Sequence, residues 1–162
     1  MKKLSWEEVE KITDELAGKI KDSGFEPDFV VGIANGGLIP LYFLVKKLDY
    51  KKVFTITVSS YEKDKKGDVK ILYLPQIDLS NKKVLLVDEI VETGDTFKTI
   101  SEVLKKDYKV AEIKTVVLGI NKEKCKIIPD FHVFEVQGEW VVFPWERHEF
   151  PEHFEELKVK QS

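Results

Sequence analysis

The chain is poor in the residues that staple a fold, bind metals through sulfur or grip nucleic acid. Its 162 residues include one cysteine, Cys125, three histidines and a single arginine, Arg147. One thiol excludes an intrachain disulfide framework and a multi-thiolate metal site, and a buried, idle thiol is the expected role of Cys125. Lysine and arginine together number 26 against 29 acids, a formal net charge of -3. That balance offers no basic field of the kind that binds DNA or RNA, so no nucleic-acid partner is expected and a nucleotide partner must be small. No apolar stretch approaches the length of a membrane span. Met1-Lys2-Lys3 runs into Ser5-Trp6-Glu7-Glu8, a capping-box pattern instead of a signal-peptide core. A soluble, cytoplasmic protein without a membrane partner is the expectation. Asn, Gln and Met are scarce while charged residues, mostly Lys and Glu, reach 34 %, a composition that leans toward a thermophile. Repeats, low-complexity tracts and linkers are absent too, so residues 1–162 are expected to form one domain with a substantial core.

What the chain does contain is an alternation of helix and strand patterns. Val9, Ile12, Leu16 and Ile20 recur at helical spacing behind Ser5, and Gly24 is placed to stop that helix. Phe29–Ala34 reads as a buried strand that ends at Asn35-Gly36-Gly37, and the apolar run Leu38–Leu48 resumes as a helix. Val53–Ser59 reads as a strand, the polar stretch from Glu62 to Asp68 as an exposed loop, and Val69–Leu74 as a returning strand. A strand ending in Val84-Leu85-Leu86-Val87 precedes a helix from about Thr96 to Lys106. Val110–Ile120 and Phe131–Val136 read as further strands. This order predicts an α/β fold with a central, mostly parallel sheet flanked by helices. The segment Trp140-Val141-Val142-Phe143-Pro144-Trp145-Glu146 is an aromatic cluster outside that alternation.

The thirteen residues from Val84 to Thr96 concentrate the chemistry. Four branched aliphatics form a strand covered on both faces and lead into Asp88-Glu89. Ligands of parallel sheets bind beyond the carboxyl ends of the strands, so these two acids emerge where they can accept hydrogen bonds from sugar hydroxyls or hold a cation. Glu92-Thr93-Gly94-Asp95-Thr96 then supplies consecutive N–H groups, two hydroxyls and a glycine before Phe97 opens a helix, an anion cradle at a helix N-terminus. The glycines of Asn35-Gly36-Gly37 let a second backbone turn approach a ligand closely.

The Val84–Thr96 segment resembles the phosphoribosyl-diphosphate (PRPP) signature of the type I phosphoribosyltransferases at all thirteen positions. Glu89 stands where that family usually has Asp, and Glu92 where it often does. The resemblance implies the type I phosphoribosyltransferase fold, with a small C-terminal hood formed mainly by about residues 121–162. It implies that Asp88 and Glu89 bind the ribose hydroxyls and Mg2+, directly or through water and ribose, and that Glu92, Thr93, Gly94, Asp95 and Thr96 bind the 5′-phosphate. Asn35, Gly36 and Gly37 become the pyrophosphate loop, with Asn35 where the family commonly has Arg or Lys. Ser60 and Tyr61 match the flexible loop that closes over PRPP, with Lys63, Lys65 and Lys66 behind them. Trp140 and Val141 resemble the base-binding hood of the short xanthine-guanine and hypoxanthine enzymes, with Lys122 or its rival Lys124 reading the purine. For Trp145, core or interface packing is at least as good a reading. Glu92 is the implied catalytic base, or else it only orients its loop. The implied partners are PRPP, a purine base, the nucleoside monophosphate and pyrophosphate, in a homodimer or homotetramer. A PRPP- or nucleotide-sensing regulator and a phosphoribosyltransferase for another acceptor are the alternatives.

Overall fold

The computed structural model describes residues 1–60 and 69–154. A two-residue strand β1 (Lys2–Lys3) precedes helix α1 (Trp6–Asp22). The predicted capping box is formed: the Ser5 amide donates to Glu8 at 2.7 Å, and the Glu8 amide donates to the Ser5 hydroxyl at 3.1 Å. Gly24 adopts a left-handed φ of 71° just past the helix end. Strand β2 (Phe29–Ala34), helix α2 (Leu38–Lys47), strand β3 (Val53–Ser60) and strand β4 (Val69–Tyr73) follow. Then come β5 (Lys83–Val87), β6 (Ile90–Val91), α3 (Asp95–Lys106), β7 (Glu112–Val116) and β8 (Gly119–Asn121). The chain continues through β9 (Phe134–Val136) and β10 (Val141–Val142) to two 3₁₀ turns, Pro144–His148 and Pro151–His153. Tyr61 and the polar stretch after it lie outside the described residues, as does the Ser60 side chain.

The main sheet has the order β4-β3-β2-β5-β7, parallel except for the antiparallel edge strand β4. Its central strands are apolar on both faces because helices cover both. Val30, Leu85 and Val87 pack with Leu16, Ile20 and Leu44 of α1 and α2, whereas the alternating Val31, Ile33, Val84 and Leu86 pack with Phe97, Ile100 and Leu104 of α3. Gly32 leaves room for α2 on the sheet, since a Cβ there would lie 2.6 Å from Leu41 Cδ2.

The run from Val110 to Ile120, expected as one strand, is two. Glu112–Val116 completes the main sheet, and Gly119–Asn121 joins a separate parallel sheet of order β6-β8-β9. The chain changes layers at Val117-Leu118, whose amides donate to Phe131 and Glu89 carbonyls, both at 3.0 Å. The neighbouring strand steps in the same way: β5 ends at Val87, Asp88 donates to the Val116 carbonyl at 3.1 Å, and β6 starts at Ile90. The acid pair thus occupies a break in the ladder, where side chains leave the pleat. The C-terminal aromatic segment also takes in the start of the chain, because β10 pairs in parallel with β1.

Candidate active site

In the order β4-β3-β2-β5-β7 the chain runs to one side after β2 and to the other after β5. The switch point therefore lies between these two strands, and a crevice is expected outside their carboxyl ends. That is where Asn35-Gly36-Gly37 meets Asp88-Glu89. A cleft of about 250 Å³ is lined there by Asn35, Gly36, Asp88, Glu89 and Thr96, with Val58 of β3 at its side. Hollows of about 380–420 Å³ elsewhere on the surface are larger, but they lie away from the switch point between β2 and β5 and are not lined by the Asp88-Glu89 pair.

The glycine turn begins with a cis peptide between Ala34 and Asn35. A Cβ on Gly37 would lie 2.6 Å from the Val87 carbonyl oxygen, and one on Gly36 would collide with the Glu89 carboxyl. Backbone at the β5 end thus closes the Gly37 position to a side chain, whereas at Gly36 the obstacle is the Glu89 side chain, which would have to move. Glu89 is held from the opposite side by Trp145, whose indole Nε1 donates to Oε2 at 3.0 Å. The Trp145 ring is stacked on buried Phe143, with centroids 4.7 Å apart and planes 9° from parallel.

Both acids are partly buried. Burial raises the Asp88 carboxyl to about 8, helped by the charge of Glu89 and opposed by the Glu89 amide that donates to it at 2.8 Å. Burial likewise raises Glu89 to about 7; the Trp145 hydrogen bond lowers it, while the charges of Glu146 and Glu149 add to the rise. Carboxyls held this way favour a ligand that brings positive charge or hydroxyl donors. Among the described residues no three His, Cys, Asp or Glu side chains converge as a metal site. A divalent cation would therefore take at most these two carboxylates, with remaining oxygens from substrate and water, the pattern that suits Mg2+.

On the other side of the cleft, the cradle opens α3. Gly94 has φ 95°, and a Cβ on it would lie 2.8 Å from Ile127 Cβ. The Thr93 hydroxyl donates to Asp95 Oδ2 at 2.7 Å, and the first bond of the helix runs from Lys98 to the Gly94 carbonyl at 3.0 Å. The amides of Thr96 and Phe97 precede that bond and have no acceptor within the helix, so with the helix dipole they present donors to an anion.

Glu92, exposed at the cradle's start, accepts from Asn121 Nδ2 at 3.2 Å and Lys124 Nζ at 3.1 Å. Of the two lysines left open by the sequence, Lys124 is the one brought to Glu92. Lys122 pairs with Glu135 at 2.8 Å instead. Trp140 is 57 % exposed and edge-on to Phe150, centroids 5.8 Å apart. The Val141 side chain is buried in the core. Its neighbours Trp140 and Val142 give their carbonyls to Lys2 and Leu4, so alternation along the strand turns the Val141 N–H and carbonyl away from β1. Two site residues escaped the sequence reading: Asn121, whose only signal is its place at the carboxyl end of a buried run, and Trp145 as a partner of Glu89.

A parallel sheet with paired acids, a glycine turn and an anion cradle at its switch point defines a nucleotide- or sugar-phosphate-handling α/β protein. The class is sharper than that: the model of the phosphoribosyl transferase domain matches residues 4–149, and the chain belongs to that family, a family of pentosyltransferases. The xanthine-guanine phosphoribosyltransferase of Desulfotalea psychrophila is 31 % identical over 145 residues, covering 88 % of this chain and 84 % of that protein. The crystal structure of a purine phosphoribosyltransferase from Pyrococcus horikoshii matches with a TM-score of 0.76 and 32 % identity, over 88 % of this chain and 92 % of that one. A Neisseria gonorrhoeae protein solved with bound ppGpp matches with a TM-score of 0.77 and 25 % identity, over 98 % and 97 %.

Proposed function

We propose that the protein is a Mg2+-dependent purine phosphoribosyltransferase of the salvage type, converting hypoxanthine, guanine or xanthine with PRPP into the nucleoside monophosphate and pyrophosphate. The observation that carries this reading is the meeting of Asp88-Glu89, Asn35-Gly36 of the glycine turn and Thr96, the last residue of the cradle, around one cleft. The cradle's amides and hydroxyls bind the 5′-phosphate. Asp88 and Glu89 accept the ribose hydroxyls, and the glycine turn offers its backbone to the pyrophosphate. Asp88 and Glu89 are the residues that would hold Mg2+, which would supply neutralisation of the diphosphate charge. As the bond from C1′ to pyrophosphate breaks, a purine nitrogen forms the new bond to C1′ and Glu92 accepts the proton displaced from the base. Positive charge that builds on the ribose is stabilised by the neighbouring carboxylates. Trp140 offers a stacking face to the base, and the Val141 N–H and carbonyl, turned away from β1, are the groups that read its edge in this proposal.

Pyrophosphate release, measured with PRPP, Mg2+ and each purine in turn, tests the proposal; absence of release with every base would overturn it. Glu92→Gln is expected to lower turnover by about 10²-fold or more while PRPP affinity measured by calorimetry persists, and unchanged turnover would remove Glu92 from the chemistry. The Neisseria neighbour with bound ppGpp favours a second reading, a nucleotide-sensing protein built on the same cleft. Binding of PRPP or ppGpp without consumption of PRPP would decide for it. A homodimer or homotetramer is part of the proposal, and sedimentation reads it directly.

A further inference from the structure

Asn121 ends β8 with its side chain fully buried. A buried amide costs stability unless both of its polar atoms are satisfied. The other buried polar side chain among the described residues, Thr13, returns its hydroxyl to carbonyls of its own helix. Asn121 instead bonds across elements. The Gly138 amide can only donate, and it meets Oδ1 at 3.0 Å; Glu92 Oε2 accepts from Nδ2 at 3.2 Å. These two partners admit one orientation of the amide. The Asn121 carbonyl is occupied as well, by the amides of Lys124 at 3.1 Å and Cys125 at 2.8 Å.

Each end of the bridge matters to a different part of the site. Gly138 stands two residues before Trp140, with φ 74°, and a Cβ on it would strike the Glu123 carboxylate. Asn121 anchors this turn through the bond from the Gly138 amide to its Oδ1. At the other end, Glu92 also accepts from Lys124, but that lysine is about half exposed and its grip is screened and mobile. The buried amide is the rigid partner.

We propose that Asn121 is a positioning residue for ribosyl transfer: through Nδ2 it aims the Glu92 carboxylate, and through Oδ1 it ties that aim to the turn carrying Trp140. The proposal rests on the reading of the cleft as a purine phosphoribosyltransferase with Glu92 as proton acceptor. Its consequence is that the acid and the base-stacking turn are set by one amide, so a purine seated against Trp140 meets Glu92 already oriented.

Asn121→Asp separates the two ends. Aspartate keeps an oxygen to accept from Gly138 but replaces the donor facing Glu92 with a second oxygen. A role confined to anchoring the loop would survive this change. The expected result is a fall in kcat of about tenfold or more with KM for PRPP and for the base within about twofold. Asn121→Leu, which loses both ends, is expected to lower kcat similarly and also to raise KM for the base. Wild-type kcat in Asn121→Asp, or a loss confined to KM for the base, overturns the proposal. A measurement on the folded wild type guards against variants that fail to fold. In NMR hydrogen exchange, one Asn121 Nδ2 proton should be protected and should lose protection in Glu92→Ala, while the Gly138 amide proton stays protected. A freely exchanging Asn121 side chain overturns the proposal. If the wild type releases no pyrophosphate with any purine, the functional reading fails and the catalytic part of this proposal fails with it. A protected Asn121 amide then distinguishes that failure from failure of the bridge itself.

Discussion

At Asp88 and Glu89 the protein maintains two carboxyls that its own fold does not neutralise. Their ordinary values of 3.8 and 4.5 rise on folding to about 8 and about 7. A carboxyl that binds its proton more tightly in the folded state favours folding below its unfolded value. That contribution is lost as pH rises toward the folded value. For Asp88 the loss runs from about pH 4 to about pH 8, and for Glu89 from about pH 4.5 to about pH 7. Asp88→Asn should therefore raise the Tm of the ligand-free protein in EDTA at pH 8.5 by several degrees, with the gain disappearing toward pH 4; thermal melts across that range check it. Trp145→Phe keeps an aromatic ring for stacking on Phe143 but removes the donor to Glu89. It should destabilise the protein by about 1–3 kcal/mol at pH 8, where Glu89 is ionised, and by less at pH 5. Equal losses in denaturant titrations at both pH values would show that packing, and not the hydrogen bond, is what Trp145 contributes.

Elements differ in how plainly the sequence announces them. The capping box of α1, the βα unit ending at Asn35-Gly36-Gly37 and the start of α3 are local, set by residues three or four apart, and the sequence reading placed them within about a residue of the structure. Gly94 shows how tightly one such element is fixed. A side chain there needs an unfavourable positive φ and also meets Ile127. Gly94→Ala should cost about 1–3 kcal/mol and weaken PRPP binding in calorimetry, since the turn that presents the α3 amides must shift. The break between β7 and β8 was not legible. Val116-Val117-Leu118-Gly119-Ile120 is apolar on either side of the step, and only the acceptors waiting at Glu89 and Phe131 divide it into two sheets.

Taken as a whole, the molecule uses two packed faces of one sheet as a frame and gathers the segments from both ends of the chain over one part of it. Lys2–Lys3 pairs with Val141–Val142, and Lys3 donates to the His153 carbonyl at 2.8 Å and lies over the Phe154 ring at 4.2 Å. Removing residues 1–3 should therefore raise KM for the purine several-fold while leaving KM for PRPP unchanged, because the cradle and acid pair belong to the central sheet. Steady-state kinetics of the truncated protein check it, and a parallel loss for both substrates would show that the N-terminal strand supports the whole fold. Among the described residues no helix is long and apolar enough to cross a membrane.

The α/β class, the strand that ends in Asp88-Glu89, the Glu92–Thr96 segment and the family are all legible in the order of residues. Each is written in contiguous residues whose hydrophobic period, charge and glycine placement act locally. Tertiary structure decided what crosses between segments. It put Lys124 and not Lys122 beside Glu92, it turned Trp145 toward Glu89, and it placed Asn121 between Glu92 and Gly138. Lys122 and Lys124 follow β8 in a turn and Trp145 sits in a 3₁₀ turn, where no hydrophobic period fixes the direction of a side chain and contacts between distant segments decide which one faces the site.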